Sequence, residues 1–148
     1  MVALCLPAAA QTSLGSLSSV LHVAPPEKIV AKRGAVVEVP FTIEVKHGYH
    51  VNSDKPADEY LIPLRFTFTP GSLELVNVAW PKPAMQKFPF SEKPLSVFEG
   101  TFKVVARMKA GTQPGASHLA GKLRYQACND RMCLPPRTLE VKAPVEIR

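Results

Sequence analysis

Cys128 and Cys133 bracket a four-residue segment, Asn129-Asp130-Arg131-Met132, and two prolines follow at positions 135 and 136. Two thiols so spaced admit three chemistries: a structural disulfide, a disulfide that exchanges with other thiols, or part of a soft-metal site. The segment opens on Asn-Asp, a turn-forming pair. If 119–125 and 137–145 are strands, the cysteines stand at the two ends of a hairpin connection. Directly opposed strand residues have Cα atoms about 4.5 to 5.5 Å apart, inside the window of about 4.4 to 6.8 Å that a disulfide uses. The bond is therefore easy to form. A loop this short removes only about 2 kcal/mol of unfolded-state entropy, so it makes a modest staple. From spacing alone, all three chemistries stay open.

A zinc site commonly takes four ligands in two close pairs, and His22, His47, His50 and His118 supply no recognisable second half. A Cu(I) site would add a thioether, Met132 or Met85, to the two thiols. His47 and His50 read as ordinary loop or strand residues rather than ligands. A thioredoxin-type thiolate is activated at a helix N-terminus within Cys-x-x-Cys; here both helix and spacing are missing. Arg131 would lower a neighbouring thiol pKa and Asp130 would oppose it. A redox pair of this kind is expected to relay electrons, its partner supplying the reactive thiolate. An exposed dithiol also needs shielding in an oxidising compartment. Phe88 and Phe90, in the proline-rich stretch 81–94, are expected either to form a lid over the pair or to anchor their loop in the core.

The elements that must position these residues read as strands. Val36–Val39 and Phe41–Val45 are β-branched around Pro40, and Ile62, Leu64, Phe66 and Phe68 alternate with polar or small residues. Leu73–Trp80 is a further apolar run; Phe102, Val104, Ala106 and Met108 alternate, as do Leu139, Val141, Ala143, Val145 and Ile147. Turn signals separate them at Lys32-Arg33-Gly34, Thr69-Pro70-Gly71, Lys109-Ala110-Gly111 and Gln113-Pro114-Gly115. Fifteen prolines and no sustained helical period argue against long helices. Seven or eight short strands predict an all-β fold, an immunoglobulin-like antiparallel β-sandwich in architecture, without the immunoglobulin Cys…Trp…Cys spacing. Two stretches, 47–56 and 81–94, do not fit strand grammar and read as long functional loops.

At 148 residues the chain is expected to hold one domain, residues 20–148, preceded by a leader remnant and linker over 1–19. The start, MVALCLPAAAQ, is a short apolar run ending in small residues, like the tail of a secretory signal peptide. If export removes this segment, Cys5 goes with it and an even pair is left, which points to an oxidising compartment. The net charge of +6 comes from scattered Lys and Arg without interleaved aromatics, so no nucleic-acid partner is expected. No Gly-x-Ser-x-Gly elbow, phosphate-cradling glycine loop or His-Glu-x-x-His is present.

The stretch Tyr125-Gln126-Ala127-Cys128 … Cys133-Leu134-Pro135-Pro136 resembles the signature of the N-terminal periplasmic domain of the DsbD thiol:disulfide interchange family. Lys46-His47-Gly48-Tyr49-His50, Tyr60-Leu61-Ile62-Pro63 and Thr69-Pro70 support the same resemblance, which covers 20–148. It implies an immunoglobulin-like sandwich in the periplasm that takes electrons from a thioredoxin-like domain. It passes them by transient mixed disulfides to oxidoreductases such as disulfide isomerases or cytochrome c maturation factors. Carried over, Cys133 is the exchanging thiol and Cys128 the resolving one. A cap aromatic maps to Phe88 or Phe90, and Tyr49 and Tyr125 fall in the active-site surround. No cofactor or metal is implied. The loop between the cysteines is shorter than in some relatives, and Gln86 and Lys87 stand where acidic residues can precede the cap aromatic. Full-length members continue into a membrane electron-transfer domain and a thioredoxin-like domain. This chain is therefore expected to be one domain of such a protein or a stand-alone relative.

The expected function is thus a periplasmic thiol–disulfide exchange relay through Cys128 and Cys133. Two rivals remain: an immunoglobulin-like binding module with an inert disulfide, and a periplasmic copper-handling domain.

Overall fold

Alternation becomes strand along most of the chain. The structure, a computed structural model, describes residues 19–148. The leader-like run, Cys5 and the linker up to Leu17-Ser18 lie outside those residues. The strands are β1 (Leu21–Ala24), β2 (Ile29–Ala31), β3 (Val36–Val45), β4 (His50–Asn52), β5 (Arg65–Phe68) and β6 (Leu73–Ala79). Then come β7 (Ala84–Gln86), β8 (Leu95–Phe98), β9 (Thr101–Ala110), β10 (Gly115–Tyr125), β11 (Ala127–Cys128) and β12 (Arg137–Ile147).

Two four-stranded sheets, in the orders β1-β3-β9-β6 and β2-β12-β10-β5, form the sandwich. The inward positions are the ones the alternation marks: Val104, Ala106 and Met108 on β9, and Val141, Ala143, Val145 and Ile147 on β12. Phe41 of β3 meets Phe66 and Phe68 of β5 across the layer, with ring centroids 4.8 and 5.8 Å apart. Fully burying a large apolar side chain is worth about 1.5 to 3 kcal/mol, and Phe41 and Phe66 are both buried here. The runs on either side of Pro40 join into one strand. β1 pairs only with Thr42–Val45, so at Pro40 β3 has a neighbour on one side alone and tolerates a missing N–H.

Three expectations need correction. The described residues form twelve strand segments rather than seven or eight, because pieces of two to four residues are too short to show a period. One contact, β2 with β12, is parallel. The strand expected from Ile62 begins only at Arg65. The backbone of Ile62 is drawn out of the ladder by two amide side chains: its N–H donates to Gln126 Oε1 at 3.3 Å, and its carbonyl accepts from Asn52 Nδ2 at 3.0 Å.

The short pieces include a third sheet, β11-β4-β8-β7. It draws on both stretches that read as loops, since β4 lies within 47–56 and β7 within 81–94. β4 and β8 are buried at every position, so no alternation announces them.

Candidate functional site

The β10–β12 ladder ends at the rung Tyr125↔Arg137. Beyond it the chain leaves the sandwich, and Ala127 and Cys128 pair instead with Val51 and His50 of β4. Gln126 makes the switch. Its Oε1 accepts from Asn52 Nδ2 at 3.2 Å and from the Ile62 N–H, while its Nε2 donates to the Leu134 carbonyl at 3.5 Å. Leu134 N–H donates to the Ala127 carbonyl at 2.8 Å, closing the base of a hairpin. At its tip Asn129 Oδ1 accepts the N–H groups of Arg131 (2.9 Å) and Met132 (2.8 Å), and Asn129 N–H donates to the Met132 carbonyl. The turn expected from Asn-Asp thus forms, on a small ladder of its own.

Cys128 and Cys133 are joined as a disulfide, with Cα atoms 3.9 Å apart, closer than opposed strand residues usually come. The two ends differ in access. Cys128 is 0% exposed, whereas Cys133 is half-buried. Exchange begins when a thiolate reaches one sulfur of a disulfide, and access here favours Cys133.

Around the buried sulfur the third sheet builds a shielded wall. His50 is opposite Cys128 in the β4–β11 register; directly opposed residues share a face, with Cβ atoms about 4.5 to 5.5 Å apart. His50 is 2% exposed. Phe88 stacks on its ring at 4.1 Å, and Phe90 stacks on Phe88 at 5.5 Å. Phe90 is the outer ring, 41% exposed, and neither phenylalanine belongs to the sandwich core. Lys87 Nζ donates to the carbonyls of Phe88 and Ser91, which holds the loop in its turn.

A groove of about 560 Å³ runs beside this wall, lined among others by Tyr49, His50, Phe88, Glu99 and Asp130. Burial pushes the His50 pKa below its ordinary 6.5, and the Glu99 charge opposes that shift. Glu99 Oε1 accepts from Gln86 Nε2 at 2.6 Å. A carboxylate therefore does stand beside Phe88, but it arrives from the β8–β9 turn rather than from the residues that precede the aromatic. Tyr49 is half-buried at the groove, while Tyr125 is 3% exposed among the sandwich core. Reading the sequence took His50 for an ordinary loop or strand residue and left out Glu99, the role of Asn52 and the pairing role of Gln126. Their signal lay in polar residues next to a buried strand too short to recognise. Among the described residues no three His, Cys, Asp or Glu side chains gather as a metal-binding group, and no helix is long and apolar enough to cross a membrane.

Residues 21–144, which contain both cysteines, match the family described as thiol:disulfide interchange protein DsbD, N-terminal. The chain belongs to this family. Among solved structures, the reduced N-terminal domain of DsbD from Neisseria meningitidis aligns at 20% identity and a TM-score of 0.52, over 77% of this chain and 82% of that one. The N-terminal periplasmic domain of ScsB from Proteus mirabilis aligns at 12% identity and a TM-score of 0.55, over 82% of this chain and 44% of that one. No curated protein sequence matches. The DsbD N-terminal fold is an immunoglobulin-like β-sandwich, as the alternation predicts, and a disulfide within it accords with thiol–disulfide exchange.

Proposed function

We propose that this domain relays electron pairs in the periplasm, from a thioredoxin-like donor to periplasmic oxidoreductases, through the Cys128–Cys133 pair. The observation that carries the reading is the asymmetry of the disulfide: one sulfur sealed at 0% exposure, the other half-buried on the facing side of a hairpin whose β11 strand pairs outside the two sandwich sheets. A structural staple gains nothing from having one reachable end.

In the loading direction a donor thiolate attacks Cys133 Sγ. The Cys128–Cys133 bond breaks and Cys128 leaves as a thiolate. The donor's second thiol then resolves the mixed disulfide, and the domain holds two thiols. In the unloading direction the Cys133 thiolate attacks an acceptor disulfide and releases one acceptor thiolate. Cys128 then attacks Cys133 Sγ, re-forms the internal bond and expels the second acceptor thiolate. Two electrons pass in each direction.

Phe88 is the cap in this reading, and Phe90 extends it outward. The disulfide isomerases and cytochrome c maturation factors implied by the sequence resemblance are the acceptor classes, and a membrane electron-transfer partner is the ultimate source of reductant.

The reduction potential of the pair tests the reading, by equilibration in thiol buffers and mass spectrometry of alkylation-trapped species. The relay requires a value between about −270 and −120 mV, where thioredoxin-like proteins exchange. A value below about −300 mV marks a structural bridge and transfers the case to a binding module.

A further inference from the structure

Every exchange cycle must put a proton on the Cys128 sulfur or take one off, yet Cys128 is fully buried. A thiolate left in an apolar site is costly and its thiol ionises reluctantly. Bulk water is a poor proton partner for a sulfur with no exposure. Of the residues paired across β11, Val51 is apolar and His50 is titratable. His50 shares a face with Cys128, is itself 2% exposed, and its Nε2 has no hydrogen-bond partner among the described residues. A buried imidazole nitrogen without a partner costs free energy, and a role in proton transfer is one reason for a fold to keep it. The ring also lines the 560 Å³ groove, which gives a proton a route to solvent.

Resting on the relay reading above, we propose that His50 is the proton-exchange residue for Cys128: it accepts the thiol proton as Cys128 attacks the mixed disulfide, and returns it when Cys128 leaves. The balance is complete. In unloading, the S–H proton moves to the His50 imidazole, the sulfur pair attacks Cys133 Sγ, and the acceptor's sulfur departs with the electrons of the broken S–S bond. The imidazolium then gives its proton to water through the groove. In loading, the imidazole relays a proton from water in the groove to the departing Cys128 sulfur.

The surroundings suit a base that must charge and discharge. Phe88, stacked on the ring, keeps the imidazole dry and favours the neutral form needed to accept a proton. Glu99, from the β8–β9 turn, steadies the transient charge. Asp130 of the hairpin and Glu44 and Lys46 of the adjoining strand and turn complete the charged rim of the groove, and His47 lines it beside them.

The reduced full-length domain, mixed with one equivalent of dithiobis(nitrobenzoate), separates the steps by stopped flow. Attack by Cys133 releases the first chromophore and resolution by Cys128 the second. In the wild type the second phase should be flat through neutral pH and fall only as His50 becomes protonated, below its ordinary range. His50→Gln should slow that phase about a hundredfold at neutral pH. Its rate should then climb about tenfold per pH unit toward thiol ionisation. The first phase should keep its rate. A second phase in His50→Gln with the wild-type rate and pH profile overturns the proposal, as does an equal loss in both phases. Should the variant fail to fold, the wild-type profile decides alone: a second phase climbing with pH throughout, without a break, has no imidazole in it. Absence of any first phase sinks the relay reading, and this inference with it.

Discussion

Phe88 lies flat on His50, ring centroids 4.1 Å apart and planes 18° from parallel, and His50 is the strand partner of Cys128. The loop at 81–94 is therefore coupled to the buried sulfur through one imidazole. A partner that lifts Phe88 uncovers the histidine in the same motion.

Phe88→Ala should raise the rate at which small oxidants or alkylating agents consume the reduced pair, by several-fold. The lost stacking should cost about 0.5 to 1.5 kcal/mol. Phe90→Ala should do less of both, because Phe90 is the outer, 41% exposed ring. Timed iodoacetamide trapping measures the first effect and urea unfolding the second. An alkylation rate unchanged in Phe88→Ala removes Phe88 as the cap.

The two cysteines should part company in trapping experiments with a thioredoxin-like protein. Cys128→Ser keeps the reachable thiol but lacks the second one, so mixed disulfides should accumulate. Cys133→Ser should yield none, because the remaining sulfur is sealed. Non-reducing electrophoresis reads the outcome, and the reverse pattern would exchange the two roles.

Gln126→Ala should destabilise the domain by about 1 to 3 kcal/mol, the usual cost of stranding buried hydrogen-bond partners. Asn52 and the Ile62 N–H lose their acceptor, and Leu134 loses a donor. Denaturant unfolding measures the loss. Because these bonds hold the hairpin base, hydrogen exchange should quicken at Ala127 and Leu134 more than in β9. Uniform exchange across both would show that Gln126 does not set the hairpin.

Stability should also report on His50. Its pKa in the fold is below the ordinary 6.5, chiefly through burial. As pH falls below about 6.5 the unfolded chain takes up a proton that the folded one resists, so the folded state loses ground. The pH–stability curve of His50→Gln should lack that part of the decline. Urea unfolding of both proteins across this range gives the difference, and parallel curves would mean that His50 titrates normally.

The cysteine spacing, the Asn-Asp turn and the period-two runs were enough to determine a β-sandwich with an easily closed disulfide at a hairpin end. Those features are local: a turn type depends on its own residues, and an alternating strand carries its buried face in its own sequence. The same spacing left staple and exchanger almost balanced, with a metal site the weaker third, because accessibility belongs to no residue alone. Only tertiary structure sealed Cys128 and left Cys133 reachable. It did so by turning Ala127-Cys128 out of the β10–β12 ladder and onto β4, a strand of three buried residues. Such a strand has too few positions to show a period, and its register is set by neighbours distant in sequence, Gln126, Phe98 and Phe88 among them. His50 was visible as a histidine from the start. Its stacking partner and its cysteine come from separate segments, the 81–94 loop and β11, which only the folded chain brings to β4.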